Sequence, residues 1–317
     1  MRIATINKFG SPDVVKIMQG TVPVPSSKQI LVKLKAASVN PVDAQIRMGH
    51  YEQYTPLPFN LGFDGAGIVE AVGEQVSDFK AGDRVFFVPP ILNGQGTYSD
   101  YCVVDAELAA PIPEALSYIE AAALSLTGSA AWEAIFDRGR LQSHETVLIH
   151  AGAGGVGHIA IQIAKAIGSK VITTARKSNH TLLKGLGADI VIDYEDDDFM
   201  AQLVNHAGSD GVHLVVDTIA GNTIMDSAQV LAPYGRIVSL ADYCPPQNLI
   251  SLWPKNAEIH LVFMTPSADR LKKLAELVEQ DKLKIIVDKV FPLEQVAKAH
   301  EYLASRGRTG KIVLSIE

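Results

Sequence analysis

The sequence predicts an α/β protein in which a doubly wound parallel sheet follows a small, irregular β-domain. Three observations predict it. From about Ser117 onward, apolar-periodic helices alternate with short apolar strands, the pattern of a parallel sheet covered on both faces. Before about Leu116, short β-branched runs are broken by Pro and Gly turns. At residues 151–157 a glycine-rich turn leaves a strand and opens a helix. A chain of 317 residues, at roughly 150 residues per domain, has room for both.

In the first region the strand candidates are 30–34, 66–72, 84–88 and 101–104, and Tyr98, Tyr101, Trp132 and Trp253 read as core. In the second, strands are expected at 146–150, 170–174, 190–194, 212–218, 236–241 and 259–264, the count of a complete dinucleotide-binding sheet. Between the first two, Val156, Ile159, Ala160, Ile163, Ala164 and Ile167 form one apolar stripe at helical spacing, and Gly168 stops it. The acidic run 195–198 caps and starts a helix toward His206. A helix at 268–279, a β-rich stretch at 285–290, a helix at 293–304 and a strand at 311–316 form a tail that returns partly to the first domain. The domains are therefore placed at 1–120, completed by 266–317, and at 121–265.

Composition narrows the function. Lys plus Arg is 28 against 35 for Asp plus Glu, a net charge of −7, the wrong sign for gripping a phosphate backbone. Nucleic acid is thus not expected as a partner. Cys102 and Cys244 are the only cysteines, which excludes a disulfide framework and a four-thiolate metal knuckle. No membrane-length apolar stretch and no signal-peptide core appears, so a soluble cytoplasmic protein is expected.

Gly152, Gly154 and Gly157 satisfy Gly-x-Gly-x-x-Gly within the run Gly152, Ala153, Gly154, Gly155, Val156, Gly157. Glycine serves there for the tight turn, for close approach of a pyrophosphate and for helix-to-sheet packing, and the helix start offers unpaired N–H groups. At the end of the second strand, where an acid would take a ribose 2′-hydroxyl, the sequence has Ala175, Arg176 and Lys177. A guanidinium fork and an ammonium suit a 2′-phosphate, so NADPH is expected over NADH. Leu240 ends the fifth strand and Phe263 and Met264 end the sixth; backbone groups there are expected to bind the carboxamide.

Further motifs, 38–43 (Ser-Val-Asn-Pro-Val-Asp), 62–73 (opening Gly-Phe-Asp-Gly-Ala-Gly), 79–85, 96–101 and 121–128, taken with the glycine turn, resemble the medium-chain dehydrogenase/reductase superfamily. The resemblance is to its zinc-independent quinone oxidoreductase (zeta-crystallin-like) branch and spans essentially the whole chain. It implies a GroES-like β-domain beside a Rossmann domain with the active site in the cleft between them, and a homodimer formed at the edge of the Rossmann sheet. It also implies Asn40 and Asp43 near the nicotinamide and Tyr51 at the substrate mouth, these three being the catalytic candidates. Thr127 would lie on the nicotinamide side, its alternative being a back-bond to the carbonyl four residues earlier, and Tyr194 would lie beside the adenosine ribose. The zinc enzymes of the superfamily carry Cys and His where this chain has Asn40 and Phe63, so no metal is expected.

Without a Lewis acid, saturated alcohol oxidation is disfavoured. Hydride transfer to a quinone, or to the activated C=C of an α,β-unsaturated carbonyl, needs only a hydrogen-bond donor at the remote oxygen. The leading expectation is an NADPH-dependent quinone or enone reductase. The alternatives are an enoyl-thioester reductase and a non-catalytic NADPH-binding structural or RNA-binding protein.

Overall fold

The protein is described by a computed structural model covering residues 1–92 and 95–317. The chain forms two compact units, one of Met1–Ser129, Thr265–Glu279 and Ile285–Glu317, the other of Ala130–Met264 and Gln280–Lys284.

In the first unit the long strand Gln29–Val39 is the spine of a seven-stranded sheet. It pairs antiparallel with Gly65–Val72, Tyr101–Asp105 and the last strand, Lys311–Ser315. Ile30, Val32 and Leu34 alternate into the core, as a period of two requires. The spine is twice the expected length because Ala36, Ala37 and Val39 continue the buried run. A smaller sheet of Val15–Gln19, Arg2–Ile6 and Phe59–Asn60 joins the same core.

The helix Tyr118–Trp132 starts on a capping box: Ser117 N–H and Oγ–H donate to Glu120 Oε2 at 2.9 and 2.7 Å, and Glu120 N–H donates back to Ser117 Oγ at 3.2 Å. The unit extends along this helix to Ser129, past the boundary read from the sequence, because Gly128 is packed tightly between Leu124 and Leu274.

In the second unit six parallel strands lie in the order 3-2-1-4-5-6: Ile190–Ile192, Lys170–Thr174, Thr146–Ile149, Val212–Asp217, Leu231–Ser239 and Glu258–Leu261. That is the order of dinucleotide-binding sheets. Helix Gly157–Ile167 buries Ile159, Ala160, Ile163 and Ala164 of the expected stripe, leaves Val156 at its N-cap and Ile167 half-buried, and stops at Gly168, whose φ of 94° is left-handed. Segment Gln280–Lys284 belongs here, not to the first unit, because Lys284 N–H donates to Gln162 Oε1 at 2.8 Å while Gln162 Nε2 donates to Lys284 O at 2.9 Å.

One reading is corrected. Trp253 is 80 % exposed, with Leu249 and Ile250 exposed beside it; apolar character alone does not say which side of a short helix meets the core. The acidic run leads into its helix as expected, with Asp198 at the N-cap of Phe199–Ala207, while Glu195 at its start turns toward Arg176. Among the described residues, no helix is long and apolar enough to cross a membrane.

Candidate dinucleotide site and the buried polar floor

Because the strands of the second unit are parallel, their carboxyl ends share one edge. The glycine turn follows the first strand there, Arg176 and Lys177 the second, Tyr194 the third, Leu240 the fifth, and Phe263 and Met264 the sixth. The topology thus gathers these predicted residues along a single rim, where such sheets bind ligands.

The turn has no room for a side chain at Gly152 or Gly157. A Cβ on Gly152 would meet Thr173 Oγ1 at 2.1 Å, and that hydroxyl is committed to Ile149 O at 2.7 Å. A Cβ on Gly157 would meet Ala151 O at 2.3 Å. Ala153 is buried and Gly154 N–H donates to Ala151 O at 2.8 Å, closing the turn ahead of Val156 and the helix start. This is a turn held tight against the strand and the helix start, and that geometry at a helix N-terminus fits a pyrophosphate.

Beneath the turn lies a residue the sequence did not point to. His150 is buried, with Nδ1 3.2 Å from Thr174 Oγ1 and Nε2 2.8 Å from Ser227 Oγ. Ser227 Oγ–H is donated to Thr223 O at 2.7 Å, so the serine accepts from Nε2–H and Nδ1 accepts from Thr174. Thr174 Oγ1 in turn receives the Ala151 N–H at 3.2 Å. Burial lowers the His150 pKa to about 4, against a small opposing pull from Asp217, which keeps the imidazole neutral in this chain of bonds. It anchors Ala151, whose φ of 52° is unusual for a residue with a Cβ.

At the second strand's end Ala175 is buried, and its N–H donates to Ile192 O at 3.0 Å. Arg176 Nε donates to Glu195 Oε1 at 2.9 Å. Tyr194 is 45 % exposed, and its hydroxyl lies near enough to Arg176 to help raise the pKa of that guanidinium, after the larger effect of Glu195. Phe263 is exposed, Leu240 half-buried and Met264 buried.

In the first unit Asn40 and Asp43 come together, both wholly buried, around helix Pro41–Met48. Asp43 Oδ2 accepts the Asn40 N–H at 2.8 Å, which fixes the helix start, and its Oδ1 accepts the Gly62 N–H at 3.0 Å. The Asn40 amide spans two opposite charges: Lys311 Nζ donates to its Oδ1 at 2.5 Å, and its Nδ2 donates to Asp64 Oδ2 at 3.0 Å. Asp64 also takes Ser38 N–H and Oγ–H, both at 2.6 Å.

Burial and then the charge of Asp64 push the Asp43 pKa up to about 7, while Asn40, Tyr98 and Lys311 hold it down. Burial raises Asp64 as well and lowers Lys311, each countered by the other. Lys311 was invisible to sequence reasoning because a lysine on a terminal strand reads as solvated. Its one signal is placement, inward on a strand whose next three residues are buried.

Tyr51 is half-buried against the first unit's core, its carbonyl accepting Thr55 Oγ1–H at 2.9 Å. The Thr127 hydroxyl donates to Ala123 O at 2.7 Å, the back-bonded arrangement. Cys102 is buried, its thiol pushed up to about 12 by that burial, as expected of a structural thiol.

Residues 26–114 match the family model described as alcohol dehydrogenase GroES-like domain, and residues 186–314 the one described as zinc-binding dehydrogenase. The quinone oxidoreductase of Sus scrofa is 33 % identical over 323 residues, 99 % of this chain and 97 % of that protein. The chain belongs to the quinone oxidoreductase family. Within the medium-chain dehydrogenase/reductase superfamily, solved relatives of this family member include the Escherichia coli quinone oxidoreductase complexed with NADPH, 32 % identical with a TM-score of 0.90 and full coverage of both chains. A structure described as an NAD-dependent alcohol dehydrogenase is 33 % identical, with a TM-score of 0.92 and full coverage of both chains.

Proposed function

We propose that this protein is an NADPH-dependent reductase of quinones, or of the activated C=C of α,β-unsaturated carbonyls, working without zinc. The observation that carries the reading is the rim of the parallel sheet, where a glycine turn closed to a Cβ at Gly152 and Gly157 stands beside a strand end bearing Arg176 and Lys177 in place of an acid. Residues 152–157 and the helix start would hold the pyrophosphate. Arg176, Lys177 and Tyr194 would hold the 2′-phosphate end, and the backbone of Leu240, Phe263 and Met264 the nicotinamide end. NADPH when bound supplies a hydride.

The family's quinone-reducing members make a quinone the leading acceptor. Asn40 and Asp43 act as positioning groups, because every bond described above for their side-chain atoms goes to protein, and Tyr51 is the donor to the acceptor oxygen. Catalytic zinc does not fit the donor set. Asn40 offers an amide oxygen already bonded to an ammonium, Phe63 is a buried phenyl, and no group of three or more His, Cys, Asp or Glu that could hold a metal occurs among the described residues.

The purified protein should oxidise NADPH when given a quinone or a short alkenal. Turnover confined to an enoyl thioester would replace the acceptor class, and tight NADPH binding with no turnover of any acceptor would contradict an enzymatic role. We further propose a homodimer through the sheet edge at Glu258–Leu261, which among the described residues pairs only with Leu231–Ser239 and leaves Leu261 63 % exposed. Light scattering should give twice the 34.1 kDa chain mass, and a monomer mass would contradict it.

A further inference from the structure

We infer that Glu195 is a specificity-determining residue of the dinucleotide site: by engaging Arg176 it weakens the hold on a 2′-phosphate and so keeps NADH within reach. The inference rests on the NADPH reading above and deepens it.

The geometry is local to the loops after the second and third strands. Asp193 pins both of them, its Oδ2 accepting the Lys177 N–H at 2.9 Å and its Oδ1 the Glu195 N–H at 3.0 Å. Residues 176–177 and 194–195 are thereby held side by side. Glu195 Oε1 then takes the Nε–H of Arg176 at 2.9 Å. Their side chains are 26 % exposed for Arg176 and 55 % for Glu195, so both lie where a ligand at the rim would meet them.

A guanidinium has five N–H donors in a planar fork, and a phosphate monoester is best taken by two of them at once. With the Nε–H committed to Glu195, one of the two bidentate edges of Arg176 is lost. The carboxylate also sets a negative charge beside the place a dianionic phosphate would occupy, and like charges at that range oppose binding. A ribose 2′-hydroxyl carries no charge, so NADH does not feel that repulsion. Arg176 and Lys177 attract the phosphate, Glu195 opposes it, and the balance sets the preference between the two cofactors.

The test is direct titration of NADPH and of NADH into wild type, Glu195→Gln and Arg176→Ala, followed by cofactor fluorescence. Glu195→Gln should lower the Kd for NADPH by about 5- to 10-fold at low salt and change that for NADH by less than about 2-fold, with the gain shrinking at high salt because the groups are exposed. Equal changes for the two cofactors, or weaker NADPH binding in Glu195→Gln, would overturn the inference; the second result would make Glu195 an aid to Arg176. Arg176→Ala separates the two levels. If it weakens NADPH selectively while Glu195→Gln leaves the ratio unchanged, only the role of Glu195 fails. Wild type that binds neither cofactor would sink the NADPH reading itself, and this inference with it.

Discussion

Replacing Lys311 by Met is expected to cost about 3–5 kcal/mol of folding stability, the loss found when one partner of a buried charge set is removed. Lys311 is 3 % exposed, and its ammonium reaches Asn40 Oδ1 and Val39 O. Met fills much of the same volume, so the loss is electrostatic: Asn40 Oδ1 is left without its donor and the Asp64 and Asp43 carboxylates without their nearby cation.

The loss also depends on pH. Both carboxyls have folded pKa values raised above the ordinary carboxylate range, Asp43 to about 7, and Lys311 holds both down. Without it they rise further. In that window the folded state binds more protons than the unfolded state, so stability falls as pH rises through the raised values. Urea denaturation should therefore find Lys311→Met closer to wild type near pH 5.5 than near pH 8. A midpoint shift independent of pH would mean that Lys311 contributes through packing alone.

Gly157→Ala is expected to weaken NADPH binding by about 100-fold, or about 2.7 kcal/mol. Its added methyl would stand 2.3 Å from Ala151 O and 2.8 Å from Gly152 Cα, both backbone, so no side chain can swing aside. The turn must move away from the helix start and take its N–H groups off the pyrophosphate. Gly185 in the same unit is the control, since nothing lies within 4 Å of a Cβ there. Gly185→Ala should leave the Kd unchanged, and an equally unchanged Kd in Gly157→Ala would remove the turn from the cofactor site.

Most of the fold was legible because its signals are local. The stripe from Val156 to Ile167, the stop at Gly168 and the six apolar strands each depend on residues near in sequence, and the helix Ala268–Glu279 lies where its periodicity put it. The dinucleotide rim was legible for the same reason, since each of its residues follows a strand. What stayed hidden depends on contacts across long separations. Lys311 meets Asn40 from the far end of the chain, His150 meets Ser227 across the sheet, and Glu195 reaches back to Arg176 from an acidic run that reads as a helix start. Asn40 and Asp43 were found by resemblance, but their bonds to Lys311 and Asp64, on which their proposed positioning role rests, were beyond pattern.

The central claim is hydride transfer from NADPH to a quinone by a chain with no zinc ligands at positions 40 and 63. The most direct test is the quinone-dependent rate of NADPH oxidation before and after exhaustive dialysis against a chelator strong enough to strip zinc. An unchanged rate is predicted. A rate lost on chelation and restored by added zinc would contradict the account.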